Sequence, residues 1–238
     1  MKQKKDAKFV LKPVVLIYDD SVYITRLALP SDYENVADFM SDVYYRGEPA
    51  ILNIGTASAT APKCWRRMMY DQVKYGLSII AEDRDRYLIG ASLNTVIYPS
   101  EPEKILEYTK TCESPAMKQI LHFFSYVVEQ SRIFERFCVP RMFELTSLAV
   151  SEDYRNMGIG RRLIMESWYL ARSCGYPMVY ISCDSSHCAK ICMDLGWQNV
   201  WSMPFDQYVL DGEVVFKHVK EPNTQCRLFI NKLKDGKI

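Results

Sequence analysis

Apolar residues recur along this chain at two spacings, and the change from one to the other divides it into strands and helices. "VYITRLAL" at 22–29 has the composition of a strand. "PSDYENVADFMSDVYY" then places Val36, Phe39, Met40 and Val43 at helical spacing behind Pro and Ser, which predicts a helix. Gly47 and Pro49 bracket Glu48 and end it, and the small, polar "NIGTASATAP" at 53–62 predicts a mobile loop. "CWRRMMYDQVKYG" reads as a second helix closed by Gly76. "LSIIAED" (77–83) and "YLIGASLNTVIY" (87–98), joined by the charged turn "RDR", predict an antiparallel hairpin.

Residues 100–136 are helical by composition and period. Pro102 and Pro115 mark helix starts, Ser114 is a plausible cap, and Ile120, Phe123, Phe124 and Val127 form the apolar face. "MFELTSLAV" (142–150) is a strand. It is followed by a glycine corner and by the helix "RRLIMESWYLARSCG", in which Leu163, Ile164, Ser167, Trp168 and Ala171 share one side. The strand "PMVYISCD" (177–184), the short helix "CAKICMDLG" (188–196), the extended "WQNVWSMPF" and a last strand "CRLFINKL" (226–233) complete the series. This order predicts an α/β fold in which an extension over 1–21 precedes a single domain over 22–238.

Composition narrows the function classes. The 238 residues are 48% hydrophobic and 25% charged, an ordinary globular composition. A formal net charge of +1 argues against a broad nucleic-acid-binding surface, so any electrostatic recognition must be local. The basic start "MKQKKDAKFVLKPVVLIYDD" is interrupted by Lys12 and Pro13, and its apolar run is too short for a signal peptide. With no apolar run long enough to span a bilayer, the expectation is a cytoplasmic protein without a membrane partner. Eight cysteines scattered without scaffold spacing read as reduced thiols. "CDSSHCAKIC" (183–192) has three of them with His187, but not at zinc-knuckle spacing, so no metal is expected.

The informative stretch is "YRNMGIGRRL" (154–163). Free N–H groups at a helix start, with the positive end of the helix dipole, hold a phosphate without side chains. Gly158 and Gly160 allow the close backbone approach, and Arg155, Arg161 and Arg162 add charge. A Walker loop would need G-x-x-x-x-G-K-[ST], and a dinucleotide fingerprint a third glycine; neither is present.

R-x-x-G-x-G between a strand and a helix resembles the acetyl-CoA pyrophosphate loop of the GNAT N-acetyltransferase superfamily. "LTSLAVSEDYRNMGIGRRLI" and "MVYISCD...AKICMDLGW" extend the match through the neighbouring strands and helices. Over about residues 22–232 the chain is most similar to insect arylalkylamine N-acetyltransferases, with "VYYRGEPAI" (43–51) resembling their "DEP" segment and Gly47 in place of the commoner Asp. The resemblance implies a GNAT acyl-CoA N-acyltransferase fold: a mixed, mostly antiparallel sheet flanked by helices, with a helical insertion before the cofactor-binding strand. It implies a monomer using acetyl-CoA as cosubstrate and a small primary amine as acceptor. It also implies a splay between strands 142–150 and 177–184.

Within that frame Glu48 is the expected general base. An alkylamine is mostly protonated at neutral pH, and only the free base attacks a thioester, so a proton must be removed. Main-chain groups of Leu148, Ala149 and Val150 would pair with pantetheine and supply an oxyanion donor. Arg155, Asn156, Met157, Gly158, Ile159, Gly160 and Arg161 would hold the pyrophosphate. Many superfamily members place a thiolate-protonating tyrosine where this chain has Cys192. Insect relatives often use serines where it has Asp184 and Cys188, with Ser185 and Ser186 between. Ser185, at the superfamily's pantetheine-contacting asparagine position, and Cys192 are therefore catalytic candidates, and Ser185 and Cys188 are cofactor contacts. Tyr44, Tyr45 and His218 are candidates for the acceptor pocket, where aromatic rings can hold a cation. Two other classes stay open at this point: an acyl-CoA-binding sensor of the same fold, and an enzyme acting on protein N-termini or lysines.

Overall fold

The computed structural model describes residues 22–55 and 60–233. The strands are β1 (Tyr23–Leu27), β2 (Ile79–Asp83), β3 (Leu88–Ile97), β4 (Met142–Val150), β5 (Met178–Cys183), β6 (Gln198–Pro204), β7 (Val209–Leu210), β8 (Glu213–Val214) and β9 (Gln225–Lys232). Seven form one sheet in the order β1-β2-β3-β4-β5-β9-β6, and β7 and β8 make a separate small hairpin that the sequence reading lacked. Only β4 and β5 run parallel; the other neighbours in the large sheet are antiparallel. The mixed, mostly antiparallel α/β architecture is the one the resemblance implied.

The helices are α1 (Tyr33–Phe39), α2 (Tyr45–Gly47), α3 (Pro49–Ile54), α4 (Lys63–Val73), α5 (Glu101–Thr109), α6 (Pro115–Ser131), α7 (Ile133–Phe137), α8 (Ile159–Ser173) and α9 (Ser186–Asp194). α1 runs through a π-helical stretch, Met40–Tyr44, into α2. The wider turn changes the helical phase just ahead of Glu48, so that Met40 and Tyr45 enter the core while Tyr44 faces a cleft. Ser114 caps α6, its hydroxyl accepting the Met117 N–H at 3.4 Å. Of the segment read as a mobile loop, Asn53 and Ile54 belong to α3, and 56–59 lie outside the described residues.

Helices cover both faces of the sheet. Val36, Met40, Trp65, Met69, Ile120 and Phe123 pack with Leu93, Tyr180 and Leu228 on one side. On the other, Ile164 and Ala171 of α8 and Ala189 and Cys192 of α9 pack on Phe143, Leu145, Val179 and Ile181. A buried polar link fixes α8 to the sheet: the Asn94 amide donates to Ser167 Oγ at 2.9 Å and to the Leu77 carbonyl at 2.8 Å.

β4 carries a bulge that shapes the functional region. Leu93 pairs with Ser147 and Asn94 with Leu145, leaving Thr146 as an extra residue. The insertion reverses the alternation of faces, so Phe143 and Leu145 join the core under α8 and α9 whereas Ala149 joins the other. β5 pairs with β4 at Phe143–Leu145 and Val179–Ile181, up to this bulge. Beyond it, residues 146–151 and 182–185 face each other as walls of a cleft.

Candidate active site

The cleft has a volume of about 1040 Å³. The glycine corner forms part of its lining. β4 stops at Val150, a 3₁₀ turn spans Glu152–Tyr154, and α8 begins at Ile159. Asn156 (φ 64°) and Gly158 (φ 78°) are left-handed, and at Gly158 a side chain would be strained. The N–H groups of the first turn of α8 have no partner within the helix, and Gly158, Ile159, Gly160 and Arg161 line the cleft. Arg155 lines it too, with Nε donating to the Val150 carbonyl at 3.4 Å. Bare backbone, a helix start and two guanidinium groups are a donor set suited to a diphosphate. Arg162 points elsewhere and pairs with Glu166 at 2.5 Å. Met157 is exposed and its side chain is not part of the lining.

Glu48 lines the same cleft, next to Gly47, where a Cβ would stand 3.9 Å from Arg155 Nη2. It caps α3, its carboxylate accepting the Ala50 N–H at 3.3 Å, and it is only 5% exposed. Asp184, the first residue after β5, is 8% exposed and lines the same wall. Burial pushes the Glu48 carboxyl well above the usual carboxylate range, and the nearby Asp184 pushes it further; hydrogen bonds from Tyr44 and the Ala50 N–H pull the other way. Burial raises Asp184 as well, and its neighbours Glu48 and Cys226 oppose the shift. The Tyr44 phenol lies beside Glu48 and Ser147, and burial together with the Glu48 and Asp184 carboxyls raises its pKa. Its ring stacks on Trp65 at a centroid distance of 5.8 Å.

The cleft therefore collects Tyr44, Glu48, Leu148, Ala149, Val150, Arg155, Asn156, Gly158, Ile159, Gly160, Arg161, Ser185 and Cys188 from the sequence candidates. Ser185 caps α9, accepting the Cys188 N–H at 3.5 Å. Besides Met157, three candidates are placed apart. Cys192 is fully buried beneath α9, 3.8 Å from Cys183, and does not reach the cleft as a proton donor must. Tyr45 packs edge-on against Trp65 in the core. His218 lies outside the lining, its N–H on the Asn53 carbonyl at 3.0 Å and its ring so close over Gly55 that a Cβ there would be 2.2 Å away.

Sequence reasoning passed over Ser147 and the pairing of Asp184 with Glu48. The usable signal was position: a carboxylate at the carboxyl end of a central strand stands where open α/β sheets take their ligands. The thiols of Cys183, Cys188 and Cys192 also converge, within 4.8 Å of one another, which their spacing did not suggest. Among the described residues, no helix is long and apolar enough to cross a membrane.

Residues 122–191, which contain β4, the glycine corner, α8, β5 and the start of α9, match the model of the Acetyltransferase (GNAT) family. Solved structures share the whole architecture. A mosquito arylalkylamine N-acetyltransferase-like 5b superposes with a TM-score of 0.83 at 21% identity, covering 89% of this chain and 100% of its own. The polyamine N-acetyltransferase of Drosophila melanogaster, an enzyme that forms N-acetylagmatine, gives 0.79 at 22%, with 89% and 100% covered. Arylalkylamine N-acetyltransferase 2 from Aedes aegypti gives 0.81 at 19%, with 90% and 100% covered. At such identities the likeness is one of fold, and the segment that matches the Acetyltransferase (GNAT) family model is the one that carries the glycine corner.

Proposed function

We propose that this protein transfers an acetyl group from acetyl-CoA directly to a small primary amine, with Glu48 as the general base. The observation that carries the reading is the cleft between the ends of β4 and β5, which brings the open backbone of the glycine corner and a buried carboxyl into one space. The diphosphate of CoA suits the first turn of α8 with Arg155 and Arg161. Past Leu145 the β5-facing edge of β4 is no longer paired with β5, and its main-chain groups there suit the amide-bearing pantetheine arm and the developing oxyanion. The thioester would then lie near Asp184 and Glu48. A buried base whose proton affinity is raised above the usual carboxylate range is suited to deprotonating an attacking amine.

Tyr44, stacked on Trp65 and facing the cleft, suits an acceptor with an aromatic or cationic group. One solved neighbour is named for arylalkylamine acetylation and another forms N-acetylagmatine, and amines of both kinds fit this description. The test is thiol release from acetyl-CoA with a panel of arylalkylamines, agmatine, polyamines and N-terminal peptides. Turnover with small amines is expected; turnover with peptides alone would replace the acceptor class, and binding of acetyl-CoA without turnover would make the protein a sensor.

A further inference from the structure

We propose that Asp184 is a catalytic residue: with Glu48 it forms a carboxyl pair that holds one proton, accepts the proton released by the attacking amine, and returns one to the sulfur that leaves as CoA. The inference rests on the acetyl-transfer reading above and supplies the proton donor that Cys192, sealed in the core, does not.

The two carboxyls reach the same wall of the cleft from distant parts of the chain, Glu48 from the cap of α3 and Asp184 from the end of β5. Both are more than nine-tenths buried. Asp184 Oδ1 is buried without a hydrogen-bond donor, and such an oxygen in a cleft wall calls for a proton from its neighbour or its substrate. The groups that face the pair are Tyr44 from the π-helical stretch, Tyr180 from β5, Cys188 from α9 and Cys226 from β9. These four are neutral acids; the cation that reaches Gly47, Arg155, also lines the diphosphate site. Two carboxylates in such surroundings do not both ionise, and the pair titrates as a unit with a one-proton form at intermediate pH.

One proton is the state an acyl transfer to an amine requires. An alkylammonium first loses its surplus proton to solvent. The free amine attacks the thioester carbon, a C–N bond forms, and the proton lost from nitrogen passes to the ionised oxygen of the pair. The C–S bond breaks with its electrons on sulfur, the pair's other proton moves to that sulfur, and CoA leaves as the thiol. The pair ends with one proton, as it began.

The test compares Asp184→Asn, Asp184→Glu and Glu48→Gln with the wild type, using kcat against pH by thiol release and acetyl-CoA affinity by calorimetry. The wild type should show two ionisation limbs in kcat. Asp184→Asn should bind acetyl-CoA within about threefold of wild type, lose the alkaline limb, and lose about 10²-fold or more in kcat; Asp184→Glu should recover part of the rate. An Asp184→Asn enzyme with wild-type kcat and both limbs, alongside an impaired Glu48→Gln, would overturn the role of Asp184 and leave the acetyltransferase reading standing. A wild-type profile with a single limb would overturn it without recourse to any variant. Absence of turnover with every amine would remove the acetyltransferase reading, and this inference with it.

Discussion

Gly90 of β3 lies directly beneath Ile159, the first residue of α8: a Cβ on Gly90 would come within 3.1 Å of Ile159 Cγ2 and 3.3 Å of Leu163 Cδ1. The missing side chain sets how close the start of α8, with its free N–H groups, approaches the sheet. Gly90→Ala is therefore predicted to destabilise the fold by about 1–3 kcal/mol through overpacking. It should also weaken acetyl-CoA binding by displacing the anion site, and urea unfolding with calorimetry would check both.

The arginines of the corner are predicted to separate by direction, although they are neighbours in sequence. Arg155 and Arg161 line the cleft, whereas Arg162 pairs with Glu166. Replacing either of the first two by Ala should weaken acetyl-CoA binding about tenfold or more, the size of a charge-assisted hydrogen bond, and should reduce its salt dependence. Arg162→Ala should leave the affinity within about twofold.

A third prediction concerns stability and pH. Burial raises the Glu144 carboxyl to about 7, with Glu101 adding to the shift and the hydroxyls of Thr95 and Thr146 opposing it. The native state thus holds a proton that the unfolded chain releases near pH ~4.3, so stability is greatest below that value and falls as pH rises towards 7. With allowance for partial exposure, the loss from this residue is about 2 kcal/mol. Glu144→Gln, whose amide oxygen can still accept from both threonines, should lose less stability than the wild type between pH 5 and pH 8. Denaturation midpoints at the two values would show it.

What was legible in the sequence is what local chemistry dictates. The left-handed turn at Gly158 favours a residue without Cβ, Ser114 sits where a helix needs an acceptor, and the apolar runs 87–98 and 142–150 contain β3 and β4, so these features stand where the pattern put them. The pairing of Glu48 with Asp184 was not legible, because it depends on how far β5 runs beside β4 before they part, and the bulge at Thr146 leaves no mark in composition. Cys192 shows the limit of reading position alone. α9 buries Ala189 and Cys192 on one stripe against the sheet and turns Cys188 toward the cleft, so equivalence of position placed the thiol on the wrong face. His218 is a similar case, its place set by the chain's return over α3.

The buried carboxyl at Glu48 is predicted to be maintained against stability. Holding an ionisable group in this wall is costly, so Glu48→Gln should raise the unfolding midpoint at pH 8 more than at pH 5, since a raised carboxyl pKa destabilises the native state increasingly as pH rises. Differential scanning calorimetry at both pH values would register it.

The most direct measurement is amine-dependent release of CoA thiol by the wild type and by Glu48→Gln, in parallel with their acetyl-CoA dissociation constants. The account predicts equal binding of the cosubstrate and a kcat lower by about 10²-fold or more in the variant. Equal turnover in the two proteins would contradict it.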